Sequence, residues 1–427
     1  MNSFFDRMRD KMRRRRYRRV RPIRKVSRYQ YRHIRFGKMT LGRLLGDSRF
    51  FITASVVFIV VLISLFGPTL SKMMKYWAPK KEASVPQATA PVRTEEPDRI
   101  EVKEPIIKDL TAGAIELELK ESRINQPVIY GDEILYSAGT GPIDQPVLKS
   151  LYLLNLSTKE EKKIADAKVE FGEIYEPLIN EEWLVWLDTD QGGTNVIMAM
   201  NQDTEETMKI KECKNNKPKL RLSGNTLVWM EQTGDKEDKL YMIDLESGEN
   251  IVLATFHDEA SYGVSAPYIY QDRVFWTGPL PEQTGNEDED SELSVINILD
   301  LKNLSEGIIP ELYRPGTYVH EPIGNDRVLV WLDGNKSPDA RLLLTMDRKT
   351  VKEVAQGVTC YGLGENFLVY GKDQAIWVYF WEEDTYGRLT GEDEKAILPS
   401  VQGKTVLWYD ITDEESEKDM IKYKVME

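Results

Sequence analysis

The chain has 427 residues, a formal net charge of −13, 41% hydrophobic residues and two cysteines. That length accommodates two or three average domains or one large repeat domain, and two cysteines exclude both a disulfide-dense scaffold and a cysteine-based zinc cluster. The net charge conceals an asymmetry: residues 1–49 carry eighteen Lys/Arg against three acids, while the rest of the chain carries 39 basic and 67 acidic side chains.

A division of that kind adapts two parts of one chain to different surroundings. The first element is the basic tail, 1–49, in which Arg13, Arg14, Arg15, Arg16, Arg18, Arg19, Arg21, Arg24, Lys25 and Arg28 are interleaved with Tyr17, Tyr29 and Tyr31. Such a run sets membrane topology and lies on anionic lipid, where each Lys or Arg contributes about 1 kcal/mol. Arg also grips phosphate in bidentate fashion, but no folded nucleic-acid motif accompanies the tail, so nucleic acid is not an expected partner.

Residues 50–71 contain no charged side chain, and 50–66 are almost wholly apolar. About 20 residues at ~1.5 Å each match a hydrocarbon core of ~30 Å, and a helix satisfies its own backbone there. The segment is therefore predicted to be one transmembrane helix, with the basic tail cytoplasmic and the remainder outside a cell membrane. The length of the basic region and the absence of a small-x-small site argue against a cleaved signal. Residues 72–111 hold Pro79, Pro86, Pro91, Pro97 and Pro105, a density that favours an extended, solvent-exposed spacer.

From 112 to 427 the chain repeats itself. A proline, a polar turn and an apolar run closed by an aromatic recur as Pro127 to Tyr136, Pro177 to Trp186, Pro218 to Trp229, Pro267 to Trp276 and Pro322 to Trp331. Tyr361 to Tyr370 and Pro399 to Trp408 complete the series. The aromatic positions lie 38 to 55 residues apart, near the ~40–50 residues of a four-stranded propeller blade. Each unit reads as four strands. The first is short and follows the proline, which a strand start tolerates. The second ends in the aromatic. The third is apolar (151–156, 240–245, 295–301, 376–381), and the fourth is polar and edge-like (162–164, 208–210, 352–354). The seventh unit ends after its third strand, and residues 114–120 alternate with period two ahead of the first unit. The fold class is thus all-β: a seven-bladed β-propeller ectodomain, 112–427, preceded by one transmembrane helix, with 114–120 predicted to complete the last blade.

The units resemble TolB-like, WD-repeat-like β-propeller repeats of bacterial envelope proteins. Leu240-Tyr-Met-Ile-Asp-Leu-Glu-Ser-Gly248 matches that family's third strand closely, whereas its Ser-Pro-Asp-Gly turn is absent from all seven units. The resemblance implies a propeller that serves as a platform for protein interaction.

Candidate chemistry concentrates in the connections between second and third strands: 137–149, 187–194, 230–238, 277–292, 332–340 and 409–419. They share one face of a propeller and are predicted to be the binding face. Several are acidic, through Asp188 and Asp190, through Glu287, Asp288 and Asp290, and through Asp413, Glu414, Glu415 and Glu417. Such a surface receives a basic partner or a calcium ion, or simply solvates the domain. Asp188-x-Asp190-x-Gly192 lacks the downstream Glu of an EF-hand loop. His257 and His320 each precede a first strand, which puts them on that face with Asp258, Glu259 and Glu321 nearby. The lipase elbow, the phosphate loop, the His-Glu-x-x-His motif and the dinucleotide fingerprint are all missing, so no cofactor is expected. Cys213 and Cys360 either pair or stay free. The expected function is a non-enzymatic extracytoplasmic scaffold or sensor that recognises an envelope protein or polymer. A carbohydrate hydrolase working through two carboxylates, and a transmembrane coupler working through the Arg-rich tail, are the alternatives.

Overall fold

The computed structural model describes residues 98–99, 106–142, 145–168, 172–190, 193–214, 217–232, 237–257, 265–279, 294–334, 339–413 and 416–426. The predicted tail and membrane helix lie outside the described residues, and no helix of the described residues is long and apolar enough to cross a membrane.

Seven sheets, each built around four antiparallel strands, make up the domain. Their inner strands are Arg123–Tyr130, Glu173–Ile179, Leu220–Ser223, Tyr268–Tyr270, Val319–Gly324, Cys360–Leu363 and Ala396–Gln402. Each inner strand packs against the next, and the seventh returns to the first, so the sheets are blades around an axis. The ring closes through Ile115–Leu117, which pairs antiparallel with Met420–Val425 and supplies the outer strand of blade 7.

The reason for the recurring aromatic is visible between the blades. Seven buried clusters fill the seven blade interfaces, and each contains one repeat aromatic from the second strand of the following blade. Tyr136 lies between blades 7 and 1, Trp186 between 1 and 2, Trp229 between 2 and 3 and Trp276 between 3 and 4. Trp331, Tyr370 and Trp408 fill the remaining three interfaces. An aromatic that removes 150–250 Å² from water contributes roughly 4–6 kcal/mol before the entropy of ordering is subtracted. No blade can bury this side chain alone, which is why the sheets assemble as a ring.

The repeat proline sits elsewhere than the sequence suggests. Pro127, Pro177, Pro322 and Pro399 lie inside their inner strands, at breaks in the register with the second strand. At a β-bulge one residue is unpaired, so a missing N–H costs nothing. Pro218 and Pro267 do precede their strands.

The turns between third and fourth strands are held by side chains. Asn155, Asn201, Asp244 and Asp347 each accept backbone N–H groups two or three residues on, the Asx-turn geometry that lets a short polar residue replace a backbone partner.

Two blades carry a fifth strand. Asp98–Arg99 pairs parallel with Thr350 and Val351 on the outer edge of blade 5. Ile106–Asp109, inside the segment read as spacer, pairs parallel with Thr385 to Arg388 of blade 6. Both cover edges that would otherwise stay open. Because Thr350 begins the outer strand of blade 5, the chain reaches the domain at the face opposite the connections between second and third strands.

Candidate channel and loop-face site

The inner strands line the axis, and four of them share one device. Gln126, Glu176, Glu321 and Leu398 immediately precede the bulge prolines and have φ of 48°, 49°, 49° and 54°. A non-glycine residue with positive φ is strained, so it persists only where its surroundings fix it. Neighbouring blades supply that fixing. The Ile124 N–H donates to Asp419 Oδ2 at 2.8 Å, the Glu176 N–H to Gln126 Oε1 at 2.9 Å, and the Glu321 N–H to Ser265 Oγ at 2.8 Å. Tyr409 Oη donates to the Ile124 carbonyl at 3.1 Å. Tyr361 Oη donates to the His320 carbonyl at 3.2 Å and also to that of Glu321.

Three blades are further tied by charge. Glu176 Oε1 accepts from Gln126 Nε2 at 2.9 Å and from Lys219 Nζ at 2.6 Å, which links blades 1, 2 and 3 at the axis. Beside them Lys217 lies over the Tyr175 ring, 3.2 Å from its centroid, and Tyr175 Oη donates to Glu173 Oε2 at 2.9 Å. Burial, and then the Glu173 carboxylate, push the Tyr175 phenol up to about 12. Burial lowers the Lys217 ammonium, against the pull of Glu173 and Glu176. Burial likewise pushes Tyr268 up to about 12 and raises Tyr361 further, where the Glu321 carboxylate adds to it; Arg221 opposes the shift at both.

Asp188 and Asp190 stand at the end of the second strand of blade 2, where they hold chain. Asp188 Oδ2 accepts the Lys168 N–H at 2.7 Å, and Asp190 Oδ1 accepts the Thr194 N–H at 2.8 Å. His320 is 3% exposed on the inner strand of blade 5, with Nε2 3.7 Å from Glu321 Oε1. His257 ends the outer strand of blade 3, so the fold sets the two histidines on different blades at different radii. Glu287, Asp288 and Asp290 lie outside the described residues. No group of three or more His, Cys, Asp or Glu among the described residues is arranged to hold a metal. Cys213 on blade 2 and Cys360 on blade 6 are free thiols.

Gln126, Glu176, Lys219, Arg221, Tyr268 and Tyr361 were not legible as a set. Two signals in the sequence point to them: the residue before each repeat proline, and the alternation Lys217-Pro-Lys219-Leu-Arg221, which puts three cations on one side of a single strand.

No protein-family model matches the chain, and no curated protein matches it. Solved structures do. The β-propeller domain of the Trilobed protease from Pyrococcus furiosus, described as having an open Velcro topology, is 13% identical, with a TM-score of 0.54 over 72% of this chain and 95% of that one. An acylaminoacyl peptidase bound to a chloromethyl ketone is 10% identical, with a TM-score of 0.50 over 68% of this chain; this chain spans 49% of that peptidase. TolB from Acinetobacter baumannii is 11% identical, with a TM-score of 0.39 over 69% and 65% of the two chains. At these identities the likeness is one of fold: an all-β, seven-bladed propeller with TolB and the propellers of peptidases among its structural neighbours.

Proposed function

We propose that the chain is a membrane-tethered, extracytoplasmic binding propeller, a scaffold or sensor whose loop face receives an envelope protein or polymer. The observation that carries this reading is a rigid ring bearing unequal loops. The inner strands are locked to one another across blades, whereas the connections between second and third strands run from two residues (373–374) in blade 6 to fourteen (280–293) in blade 4. A fixed frame with variable loops at one end is how a binding surface is built without loss of stability. The chain reaches the domain from the opposite face, which leaves the loop face unobstructed by the tether. In this reading residues 50–71 span the bilayer and the Arg-rich tail rests on anionic lipid inside the cell.

The test is site-specific photocrosslinking of the full chain in its own membranes. Probes replace Asp339, Asp373 and Asp413 on the loop face, and Asp132, Glu181 and Glu365 on the opposite face. One common crosslinked species from the loop-face positions, absent from the other three, is the expected result. Crosslinks confined to the opposite face would overturn the assignment. Turnover of a purified envelope polysaccharide by the chain would replace the scaffold with a hydrolase.

A further inference from the structure

The inner strand of blade 3 places Lys217, Lys219 and Arg221 at alternate positions of one strand, inside a domain whose remaining charge is strongly acidic. Leu220 and Leu222 pack between blades 2 and 3, so Arg221 projects the other way, toward blade 4. There Tyr268 is the first residue of the adjoining inner strand. Arg221 also acts electrostatically on Tyr361 of blade 6, which sets its charge toward the axis and not into one interface.

The partners of this strand are unequally used. Lys219 is paired with Glu176, and Lys217 is held on the Tyr175 ring with Glu173 close by. Tyr361 commits its hydroxyl proton to backbone oxygens, and Glu321 lies 3.7 Å from His320. Arg221 donates one hydrogen bond, from Nη1 to the Leu220 carbonyl at 2.8 Å, and has no ion pair among the described residues. A guanidinium carries five N–H donors in a planar fork that matches an oxyanion. A half-buried one beside a phenol donor, with low-dielectric walls around it, focuses positive potential in the channel.

We propose that the propeller channel binds an oxyanion, carboxylate or phosphate, on Arg221, with the Tyr268 hydroxyl as second donor and Lys219 behind it. This site is separate from the loop face and does not rest on it. A small anionic metabolite or an acidic group of a larger ligand fits it equally by chemistry.

The probes are sodium malonate and inorganic phosphate, each compared with chloride at matched ionic strength, added to the full chain in detergent. The expected result is a saturable rise in melting temperature with at least one probe. Binding should be weakened about tenfold or more in Arg221→Gln, and less in Arg221→Lys and Tyr268→Phe. A malonate-only or phosphate-only response names the oxyanion. A rise of equal size in wild type and Arg221→Gln is a general salt effect and overturns the site, as does no rise with either probe. A second measurement needs no variant: phenylglyoxal labelling of Arg221, mapped by mass spectrometry, should fall severalfold in the presence of the active probe. Undiminished labelling refutes the proposal even if Arg221→Gln fails to fold.

Discussion

Phenylalanine at Trp331 and at Trp229 should separate two contributions that the repeat aromatic makes. Both side chains are 0% exposed and occupy the same position in consecutive blade interfaces. Losing the indole's second ring removes similar apolar area at each site and leaves a similar void, about 1–2 kcal/mol on the scale of large-to-small core changes. The polar atoms differ. Trp331 Nε1 donates to Thr317 Oγ1 at 3.1 Å, and Thr317 is itself buried. Its loss removes a hydrogen bond of about 1 kcal/mol and leaves a buried hydroxyl without its donor. Trp229 Nε1 is buried with no acceptor among the described residues, so its removal relieves a desolvation cost of order 1 kcal/mol. Ring contacts do not reverse the order. Trp229 stacks on Tyr241 at 5.3 Å and Trp331 meets Tyr313 edge-on at 5.8 Å, and phenylalanine preserves an aromatic face at both. Trp331→Phe should therefore destabilise by about 2 kcal/mol more than Trp229→Phe. Urea denaturation followed by circular dichroism measures it, provided the m-values agree. If Trp229→Phe proves as costly as Trp331→Phe, the hydrogen-bond assignment is wrong.

Ring closure depends on Leu117, 6% exposed among Ile124, Leu407, Ile421 and Tyr423; removing 112–121 should lower the melting temperature sharply, and an unchanged melt would count against closure by this strand. The Asp347 carboxylate, bonded to the Thr350 and Lys349 amides, is held down from 3.8 to about 2. Its contribution is complete above the unfolded value and is lost as pH falls through about 2. Asp347→Asn should thus be less stable at neutral pH and show a shallower loss between about pH 4 and about pH 2, read from denaturant midpoints across that range. A Cβ on Gly387 would lie 2.3 Å from Leu110 Cδ1, so Gly387→Val should displace Ile106–Asp109 from blade 6 and expose Lys108 to trypsin, a cut the wild type resists. Cys213 is buried, and burial pushes its thiol up to about 12, while Cys360 is half-buried. A maleimide should label Cys360 first and Cys213 only on unfolding; equal labelling of the folded chain would contradict the burial.

What could be read in advance was whatever recurs locally. An apolar run ending in Tyr or Trp at blade-length spacing announces a face that a single sheet cannot bury, and that is enough to specify blades, their number and their order. The Asx positions of the outer turns, Asn155, Asn201 and Asp244, are local for the same reason, since each side chain bonds backbone only two or three residues away. Bulges were not readable. Nothing within six residues of Pro127 or Pro177 tells a strand start from a strand interior, because the distinction is made by the register with the next strand. The fifth strands of blades 5 and 6 were hidden too, since Ile106–Asp109 finds its partner 279 residues away, Ile106 opposite Thr385.

The sequence by itself determined the blades, the aromatic that fills each interface, and the division of charge between 1–49 and the rest, because each is a property of neighbours along the chain. Only the tertiary structure decided what faces the axis. Glu176, Lys219, Arg221 and Tyr361 come from four turns of the repeat that share no local motif. Closure of the ring brings them together, and the energy of each depends on a partner contributed by another blade.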